Sequence, residues 1–386
     1  MKKLIIQIEF QISMTIQKPL IISLLYLLSI GYTYAQEHTQ EEKAQAFNPS
    51  ETIIHHILDT HDWHLTDIPG KDANGQKVYH SIALHLPWFF YDGGFHFASD
   101  TEALLEKGYV PYHDHLYKLK SGIEATDLRI AHGEVEGFDP ERMADEHAHV
   151  IDLSITKGSL QMLIIGLLLS MVFIAVARSY KKREGQAPKG LQSLLEPIIL
   201  FVRDDIAREY LGEKAEKYTP YLLSLFFFIW FSNLFGLLPI NSNIMGNISV
   251  TAALALLTFI IVQVNGTKDY WRHIIAMPGV PTAIVPLMTV IEIISLFVKP
   301  FALAIRLFAN ISAGHFMVLS LVSLIFIMGD GGKSIGGALG IMPISILLTL
   351  AILALEMIVA IIQAYIFTLL TAVFIGMASE SHDDHH

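Results

Sequence analysis

The chain has 386 residues, of which 52% are hydrophobic and only 16% are charged, and it carries a formal net charge of −11 and no cysteine. Soluble domains contain about 25% charged residues. The low charge and the mean hydropathy of +0.46 are therefore typical of an integral membrane protein. This composition excludes a disordered chain, a disulfide scaffold and a thiolate metal site. Nucleic acid is not an expected partner, because no basic excess is present to bind phosphates.

Charge is distributed very unevenly along the chain. Residues 36–150 contain 8 lysines and arginines against 21 aspartates and glutamates, a charge of −13, and 13 of the 18 histidines. Residues 151–386 contain 15 of each sign, and residues 1–35 contain 3 basic residues against 1 acidic residue. We therefore expect three parts: a signal peptide over 1–35, an acidic, histidine-rich extracytoplasmic domain over 36–150, and a membrane domain over 151–386.

The first part has the pattern of a secretory signal peptide. Lys18 precedes the apolar run 20–30, and Thr-Tyr-Ala at 33–35 is a small-x-Ala pattern suited to cleavage before Gln36. An uncleaved membrane anchor is the alternative, and the long basic region before the apolar run leaves Met14 open as the translation start. In either case the acidic segment is delivered to the outer side of a membrane.

The acidic segment is expected to form a small folded domain. Residues 84–94 are an apolar stretch that ends in Asp-Gly-Gly, which is typical of a strand followed by a turn. Histidine clusters at 61–64, 113–115 and 147–149 contain residue types that bind metals, but their spacing matches no recognised site. We therefore expect solvated or structural histidines rather than a metal centre, and we predict no cofactor for the chain.

Three apolar segments have the length of an ordinary membrane-spanning helix, which needs about 20 residues. They are residues 160–177, 221–238 and 248–264. Basic loops beginning at Arg178 and Lys268 follow the first and the third, so the positive-inside rule places both loops in the cytoplasm. Residues 191–211 carry too many charges to span, and they suit an amphipathic helix at the cytoplasmic surface.

Two much longer apolar segments follow, over residues 282–328 and 340–378. As continuous helices they would run to roughly 60–70 Å, about twice the hydrocarbon thickness. Each is therefore either two ordinary spans or one steeply tilted helix, and tilting requires a large partner protein. One crossing each gives about five in total. The expected fold is an all-α integral membrane protein in which two long tilted helices form a hairpin, plus a small N-terminal extramembrane domain.

Polar residues inside these long segments are candidate functional residues, because a charge at membrane depth costs at least about 2.5–3.5 kcal/mol. They are Glu292, Lys299, Arg306, Asn310, His315, Glu356 and Gln363. Snorkelling to the membrane surface is the alternative for Lys299 and for Glu292, which are nearer a helix end. It does not suit Arg306, which is near the middle of its segment.

Helical geometry relates these residues to one another. Asn310 is four residues after Arg306 and shares its face, whereas His315 is nine residues on and lies on the opposite face. If the two helices pack antiparallel with Arg306 beside Gln363, His315 lies about 13 Å outward of Arg306 and Glu356 lies about 10 Å outward of Gln363. We therefore expect His315 and Glu356 at nearly the same depth, where they could pair.

On the other side of the arginine, Glu292 lies about 21 Å toward the cytoplasm. Titratable groups thus flank Arg306 from both sides. A guanidinium does not deprotonate in proteins, so Arg306 can act as a fixed positive barrier while histidine and glutamate relay protons. This arrangement is typical of two half-channels that do not meet.

Three motifs carry a resemblance to subunit a of the F-type ATP synthases. Residues 301–315, Phe-Ala-Leu-Ala-Ile-Arg-Leu-Phe-Ala-Asn-Ile-Ser-Ala-Gly-His, resemble the arginine motif of that family. Residues 362–371 resemble its final helix, and residues 228–239 resemble its earlier membrane motif. The resemblance covers roughly residues 191–380. It implies a membrane stator subunit whose two long tilted helices curve against a rotating ring of c subunits.

The resemblance also implies a role for each polar residue. Arg306 would be the stator arginine, which attracts the ring carboxylate, makes it release its proton and blocks a direct leak. Gln363 matches the glutamine that faces this arginine, and Asn310 matches a polar residue of the same helix. His315 and Glu356 match an outer-path pair in which some members exchange glutamate and histidine.

Glu292 matches an acid of the cytoplasmic path. The implied partners are the c-subunit ring, the b-subunit peripheral stalk, other ATP synthase subunits and the lipid bilayer of a bacterial inner membrane. The periplasmic domain over 36–150 has no counterpart in the usual short N-terminus of the family. The coupling ion stays open between H⁺ and Na⁺.

Two other functions are less favoured. An ion-coupled secondary transporter with an exported substrate-binding domain would be expected to show internal repeats, and no convincing repeat is found. An ATP-hydrolysing enzyme would need a P-loop, but Ile327 stands where the glycine five residues before Gly332 is required. The chain is therefore not expected to bind nucleotide or to be an enzyme by itself.

Overall fold

The computed structural model describes residues 61–71, 77–112, 115–120, 122–123, 128–131, 134–145, 148, 150–238, 243–275, 281, 284–329 and 334–379. The expected signal peptide and its cleavage site lie outside the described residues, as do His113, His147 and His149 of the histidine clusters.

Between residues 61 and 152, the described part of the chain forms antiparallel strands and two short helices. The strands are β1 (Asp62–Lys71), β2 (Lys77–His85), β3 (Trp88–Tyr91), β4 (Phe95–Ala98), β5 (Tyr109–Tyr112), β6 (His115–Lys118), β7 (Arg129–Ala131), β8 (Glu134–Glu136) and β9 (Ile151–Asp152). The helices are α1 (Thr101–Glu106) and α2 (Pro140–Met143). Strand β3 pairs with β4 on one side and β9 on the other, and β1–β2, β5–β6 and β7–β8 form two-stranded sheets.

The strand and turn expected over residues 84–94 correspond to β3 and the turn after it. Asp92 donates its backbone N–H to the Gly94 carbonyl at 3.0 Å, and Gly93 adopts a φ of 66°, which favours glycine. Trp88 and Phe90 point into a small buried cluster on one side of β3. The hairpin is thus fixed both by turn chemistry and by the burial of alternate residues.

Asp92 also ties the hairpin to β5 and β6. Its carboxylate accepts hydrogen bonds from Lys118 Nζ at 2.7 Å and from the Tyr109 hydroxyl at 2.8 Å. These two bonds, that from Lys118 first, lower the pKa of the Asp92 carboxyl below its ordinary value. The ionised form of Asp92 is therefore part of the folded structure of this region.

Helices make up most of the described residues from 157 onward. They are α3 (Lys157–Lys182), α4 (Leu191–Phe201), α5 (Ala215–Gly236), α6 (Ile248–Val264), α7 (Lys268–Ile275), α8 (Val285–Met328) and α9 (Ile335–Ser379). Between α4 and α5 the chain passes through a π-helical segment (Val202–Arg208), a helical turn (Glu209–Leu211) and a 3₁₀ turn (Gly212–Lys214). Among the described residues, 4 helical segments are long and apolar enough to cross a membrane, or up to 5 if α6 and α7, bent by 104°, count as one span. The expected all-α membrane fold is confirmed.

The two long apolar segments are each a single helix rather than two spans. Helix α8 has 44 residues and α9 has 45, which gives each a length of roughly 66 Å. They run antiparallel and pack along each other, and the Ser345 hydroxyl of α9 donates to the Leu321 carbonyl of α8. The buried Ser345 hydroxyl therefore has a hydrogen-bond acceptor at the contact between the two helices.

The far end of α9 is anchored to the segments around it. Gly376 packs against the Tyr210 carbonyl so closely that a β-carbon would not fit. The carbonyl of Ala378 accepts a hydrogen bond from Thr267 N–H at 2.9 Å, and that of Ser379 accepts one from Lys214. Two of the carbonyls left over at the helix end thus have partners.

Candidate functional site

Arg306 lies on the exposed side of α8. Leu303, Leu307 and Ile311 form the buried side of the same stretch, where they pack into the core of the membrane domain. Arg306 and Asn310 are both exposed and lie one turn apart, as the four-residue spacing predicts. In the described part of the chain, Arg306 makes no ion pair with a carboxylate. The positive charge of Arg306 therefore lies on the exposed side of a membrane helix, without a carboxylate partner among the described residues.

Gln363 lies at the level of Arg306 on the neighbouring helix. Contacts between α8 and α9 fix their register, because Glu356 touches Gly314 and Ser345 bonds to Leu321. Arg306 precedes Gly314 by eight residues on α8, and Gln363 follows Glu356 by seven residues on α9. Because the helices are antiparallel, the two residues lie at nearly the same level. Gln363 is buried, only 5% exposed. The amide is thus held on the inner side of the hairpin at the depth of the arginine.

Glu356 lies against Gly314, the residue next to His315. Its Oε1 atom stands where a β-carbon at position 314 would be, so a side chain there would overlap the carboxyl group. Glu356 is 7% exposed, and Oε1 accepts no hydrogen bond from the described residues. The expected similarity in depth between Glu356 and His315 follows from this contact, while their pairing stays a prediction.

His315 points away from Arg306, toward the end of α5. A β-carbon built on Gly236 would lie 3.9 Å from His315 Nε2 and 3.6 Å from Asn243 Oδ1. Histidine, asparagine and the last turn of α5 therefore meet at one place. This is the opposite face of α8 from the arginine, as the nine-residue spacing predicts.

Several further polar groups are buried on this side of the arginine. Ser232 and Asn233 of α5 are 0% and 1% exposed, and their side-chain atoms have no hydrogen-bond partner among the described residues. The same holds for the Ser312 hydroxyl of α8 and the Thr349 hydroxyl of α9. Buried polar atoms of this kind are rare and are often satisfied by water.

Sequence reasoning did not assign these groups or Gly314 a role. Two signals were available in the sequence. One is the polar pair Ser232 and Asn233 inside the aromatic run of α5, and the other is Gly314, directly before His315. Neither signal shows which residues meet, because the contacts join helices that are far apart in sequence.

Glu292 and Lys299 lie on the other side of the arginine, toward the start of α8. Glu292, Lys299 and Arg306 recur every seven residues, so they drift by only about 20° per step and form one stripe. Lys299 Nζ lies 5.7 Å from the centre of the Phe374 ring on α9. Lys299 also lines a narrow cleft with Gln263 and Tyr270 of α6 and α7. The lysine is thus held between helices rather than extended into solvent.

These features define a class of protein: a multi-pass membrane protein in which a fixed positive charge separates two groups of titratable side chains. Such an arrangement can move ions across a membrane. The separation of the groups along α8 follows from the 1.5 Å rise of the helix, which puts His315 and Glu292 roughly 13 and 21 Å from Arg306 in opposite directions.

The chain is similar to known proteins over most of this region. A family model described as ATP synthase A chain matches residues 159–376. ATP synthase subunit a of Chloroherpeton thalassium is 41% identical over 240 residues, which are 61% of this chain and 69% of that protein. The subunit a of Anaeromyxobacter dehalogenans is 41% identical over 245 residues, 61% of each chain. That of Pelodictyon phaeoclathratiforme is 37% identical over 332 residues, 79% of this chain and 94% of the relative.

The chain therefore belongs to the ATP synthase subunit a family. It is the proton-translocating stator subunit of the membrane sector, and the secondary-transporter alternative is not favoured. A second family model, described as a domain of unknown function, matches residues 52–153. The strand-rich N-terminal part thus resembles a recurring sequence unit of its own.

Proposed function

We propose that Arg306 is the stator arginine of a rotary proton path and that the exposed face of α8 is the surface along which a ring of c subunits turns. The support is a single observation: Arg306 is exposed on a membrane helix and has no carboxylate partner within the described residues. Such a charge costs at least about 2.5–3.5 kcal/mol at membrane depth. A carboxylate on each ring subunit would supply the missing counter-charge.

The chemistry of the guanidinium determines what Arg306 does in this mechanism. It stays protonated in proteins, so Arg306 is positive throughout the cycle and carries no proton itself. A ring carboxyl that approaches it is stabilised in its ionised form and releases its proton. The same positive charge repels a proton that would pass straight from one side to the other.

His315 and Glu356 belong to the half-channel on the outer side. The imidazole of a histidine changes charge near neutral pH, so His315 can accept and release protons there. Glu356 is held beside it through the contact with Gly314. Ser232 and Asn233 supply further donors and acceptors that ordered water could connect into a path.

Glu292 belongs to the half-channel on the cytoplasmic side. It lies on the same stripe of α8 as Arg306, so a ring subunit that moves along this face meets both groups in turn. The two half-channels are offset, because Glu292 and His315 lie roughly 21 and 13 Å from Arg306 in opposite directions along α8, and His315 is on the face turned toward α5. Asn310 and Gln363 contribute uncharged dipoles at the level of the arginine, where a carboxylate would neutralise the guanidinium and oppose the release of the proton.

This mechanism couples proton flow to rotation, while the catalysis of ATP synthesis lies in other subunits. The b-subunit peripheral stalk would hold this chain against the turning ring. The location is a bacterial inner membrane, with the N-terminal domain in the periplasm and the C-terminus in the cytoplasm. The basic C-terminal end of α3, which includes Arg178 and Lys182, supports that orientation.

Photo-cross-linking tests the proposed contact with the ring. The chain has no cysteine, so Ala309→Cys and Ala313→Cys, both exposed on the arginine face of α8, can each carry a benzophenone. Leu256→Cys on the exposed side of α6 is the matched control. In the gently solubilised complex we expect both α8 positions, but not the control, to link to a small, very hydrophobic subunit. If neither α8 position forms such a product, the proposal is wrong.

A further inference from the structure

One face of the β4–β3–β9 sheet is covered by exposed apolar side chains. Alternate residues of a strand point to the same side of a sheet. The register places Phe89 opposite Phe97, and Tyr91 opposite both Phe95 and Ile151. The side chains on this face, which we call the aromatic face, are Phe89, Tyr91, Phe95, Phe97, Ile151 and Leu153.

The aromatic face is ordered and is not part of the domain core. The core lies on the other side of the sheet, where Trp88 and Phe90 are buried. Ring centres lie 5.1 Å apart for Phe89 and Phe97 and 5.3 Å apart for Tyr91 and Phe95, so the rings form one layer. Phe95 is 84% exposed. Contiguous exposed apolar surface of this kind marks a site of interaction with a protein or a membrane.

The chain leads directly from this face into a membrane helix. Leu153 donates its backbone N–H to the Phe89 carbonyl at 2.8 Å, and the Ser154 hydroxyl bonds to the backbone of Phe89. Helix α3 begins at Lys157, after its N-cap Thr156. Three residues separate Leu153 from Lys157, so the four steps between their Cα atoms can span at most about 14 Å.

The start of α3 lies at the membrane surface. The helix has 26 residues and is therefore about 39 Å long, which exceeds the hydrocarbon thickness of about 30 Å. The apolar run within it, residues 160–177, is about 27 Å long and fills most of that thickness, so the first turn, residues 157–159, lies in the headgroup layer. The aromatic face is thus connected to the surface of the bilayer through the three residues 154–156.

We infer that the aromatic face rests on the phospholipid headgroup layer beside α3 and holds the N-terminal domain against the membrane. Tyrosine is enriched at this depth, and phenylalanine and leucine are typical of the apolar face of segments that lie in the membrane interface. The six side chains of the face carry no charge, and residues 36–150 as a whole carry −13, so attraction to anionic lipid does not drive the contact. The inference concerns the N-terminal domain alone and does not depend on the proposed proton path.

Fluorescence quenching in nanodiscs tests this contact on the full chain. Phe95→Cys and Leu153→Cys place a fluorescent label at two positions of the aromatic face, and Glu102→Cys places it on the exposed side of α1. Phosphatidylcholine nanodiscs with a nitroxide-bearing phospholipid report contact with lipid, and iodide reports contact with water. We expect lipid quenching several-fold stronger at 95 and 153 than at 102, and the reverse order for iodide.

Two results would overturn the inference. Equal access of iodide to positions 95, 153 and 102 would show that the face lies in water. Protection of 95 and 153 from both quenchers would show that a protein surface covers it. The label at 153 keeps the test valid if Phe95→Cys disturbs the hairpin.

A second variant isolates the apolar contribution. With the label at 153, Phe95→Gln combined with Phe97→Gln should weaken lipid quenching and increase iodide quenching, while Glu102→Gln combined with Glu106→Gln should leave both unchanged. Added salt should not release the face, because screening acts on charges and not on apolar contacts. Release by salt would contradict the apolar basis of the contact.

Discussion

The carboxyl group of Glu356 on α9 occupies the space beside Gly314 on α8 that the side chain of any other residue would fill. This contact joins two residues on different helices that are 42 positions apart in the sequence. It fixes their register, it places a carboxyl group next to His315, and it brings Gln363 to the depth of Arg306. A residue without a side chain thus positions several of the polar groups proposed to carry protons.

Replacing Gly314 by alanine should displace Glu356. The new β-carbon would overlap Oε1, and forcing a methyl group into a packed site costs roughly 1–3 kcal/mol. We expect ATP-driven proton pumping in inverted vesicles to fall strongly while the complex still assembles.

Gly340→Ala is the matched control for this substitution, because a β-carbon at position 340 of α9 would meet nothing within 4 Å. It should leave pumping unchanged and should favour the helix by about 0.5–1 kcal/mol. Equal pumping by Gly314→Ala and Gly340→Ala would show that the position of Glu356 does not matter.

Arg306→Ala should abolish ATP-driven proton pumping while the assembled complex remains. Arg306→Lys should also fail, because an ammonium group lacks the planar donor geometry of guanidinium and can lose its proton when desolvated. Ile327→Ala, an exposed apolar position on the same helix, serves as the control and should pump normally. The measurement is fluorescence quenching of a pH-sensitive dye, with subunit composition checked in parallel. Unaffected pumping by Arg306→Ala would refute the mechanism.

Exchanging His315 and Glu356 should restore part of the activity that each single substitution removes. The two residues lie at similar depth, so a pair in either order can pass protons between the helices. A double-mutant cycle on the pumping rate should give an interaction energy of roughly 0.5–3 kcal/mol. Purely additive losses would show that the two side chains act independently.

Asp92→Asn should destabilise the N-terminal domain without affecting pumping. The substitution weakens the bonds from Lys118 and Tyr109, at a cost of about 1–2 kcal/mol, and solvent screening keeps the value modest because Lys118 is 41% exposed. Hydrogen exchange of β3 and β4 in the full chain would measure the loss. Glu106→Gln, an exposed acid of α1, is the control.

The same carboxyl predicts a pH dependence for this domain. Folding lowers the pKa of Asp92, so its ionised form stabilises the folded state above its ordinary pKa of about 4. That contribution should disappear as the pH falls through the lower, folded-state pKa. In acid, the hydrogen-exchange protection of β3 and β4 in the wild-type chain should therefore fall toward that in Asp92→Asn. A difference in protection between the two chains that is constant at all pH values would contradict the role of Asp92.

The membrane part of the fold and the central residue could be predicted from sequence because their signals are local. A run of apolar residues specifies a helix and its crossing, and one arginine inside such a run is conspicuous by its cost. The four-residue step from Arg306 to Asn310 is also local, and both are exposed on one side of α8. Length alone did not decide whether residues 282–328 form one helix or two. The structure has a single helix, α8, which packs along α9.

The sequence by itself determined which residues are charged, how deep they lie along each helix and which of them share a face, since these follow from helical repeat and rise. Only the tertiary structure decided which residues of different helices meet: Glu356 with Gly314, and His315 with Gly236 and Asn243. The same holds for the aromatic face, where strand pairing gathers residues from three separate segments. Such contacts depend on close packing between distant parts of the chain, and no local pattern specifies them.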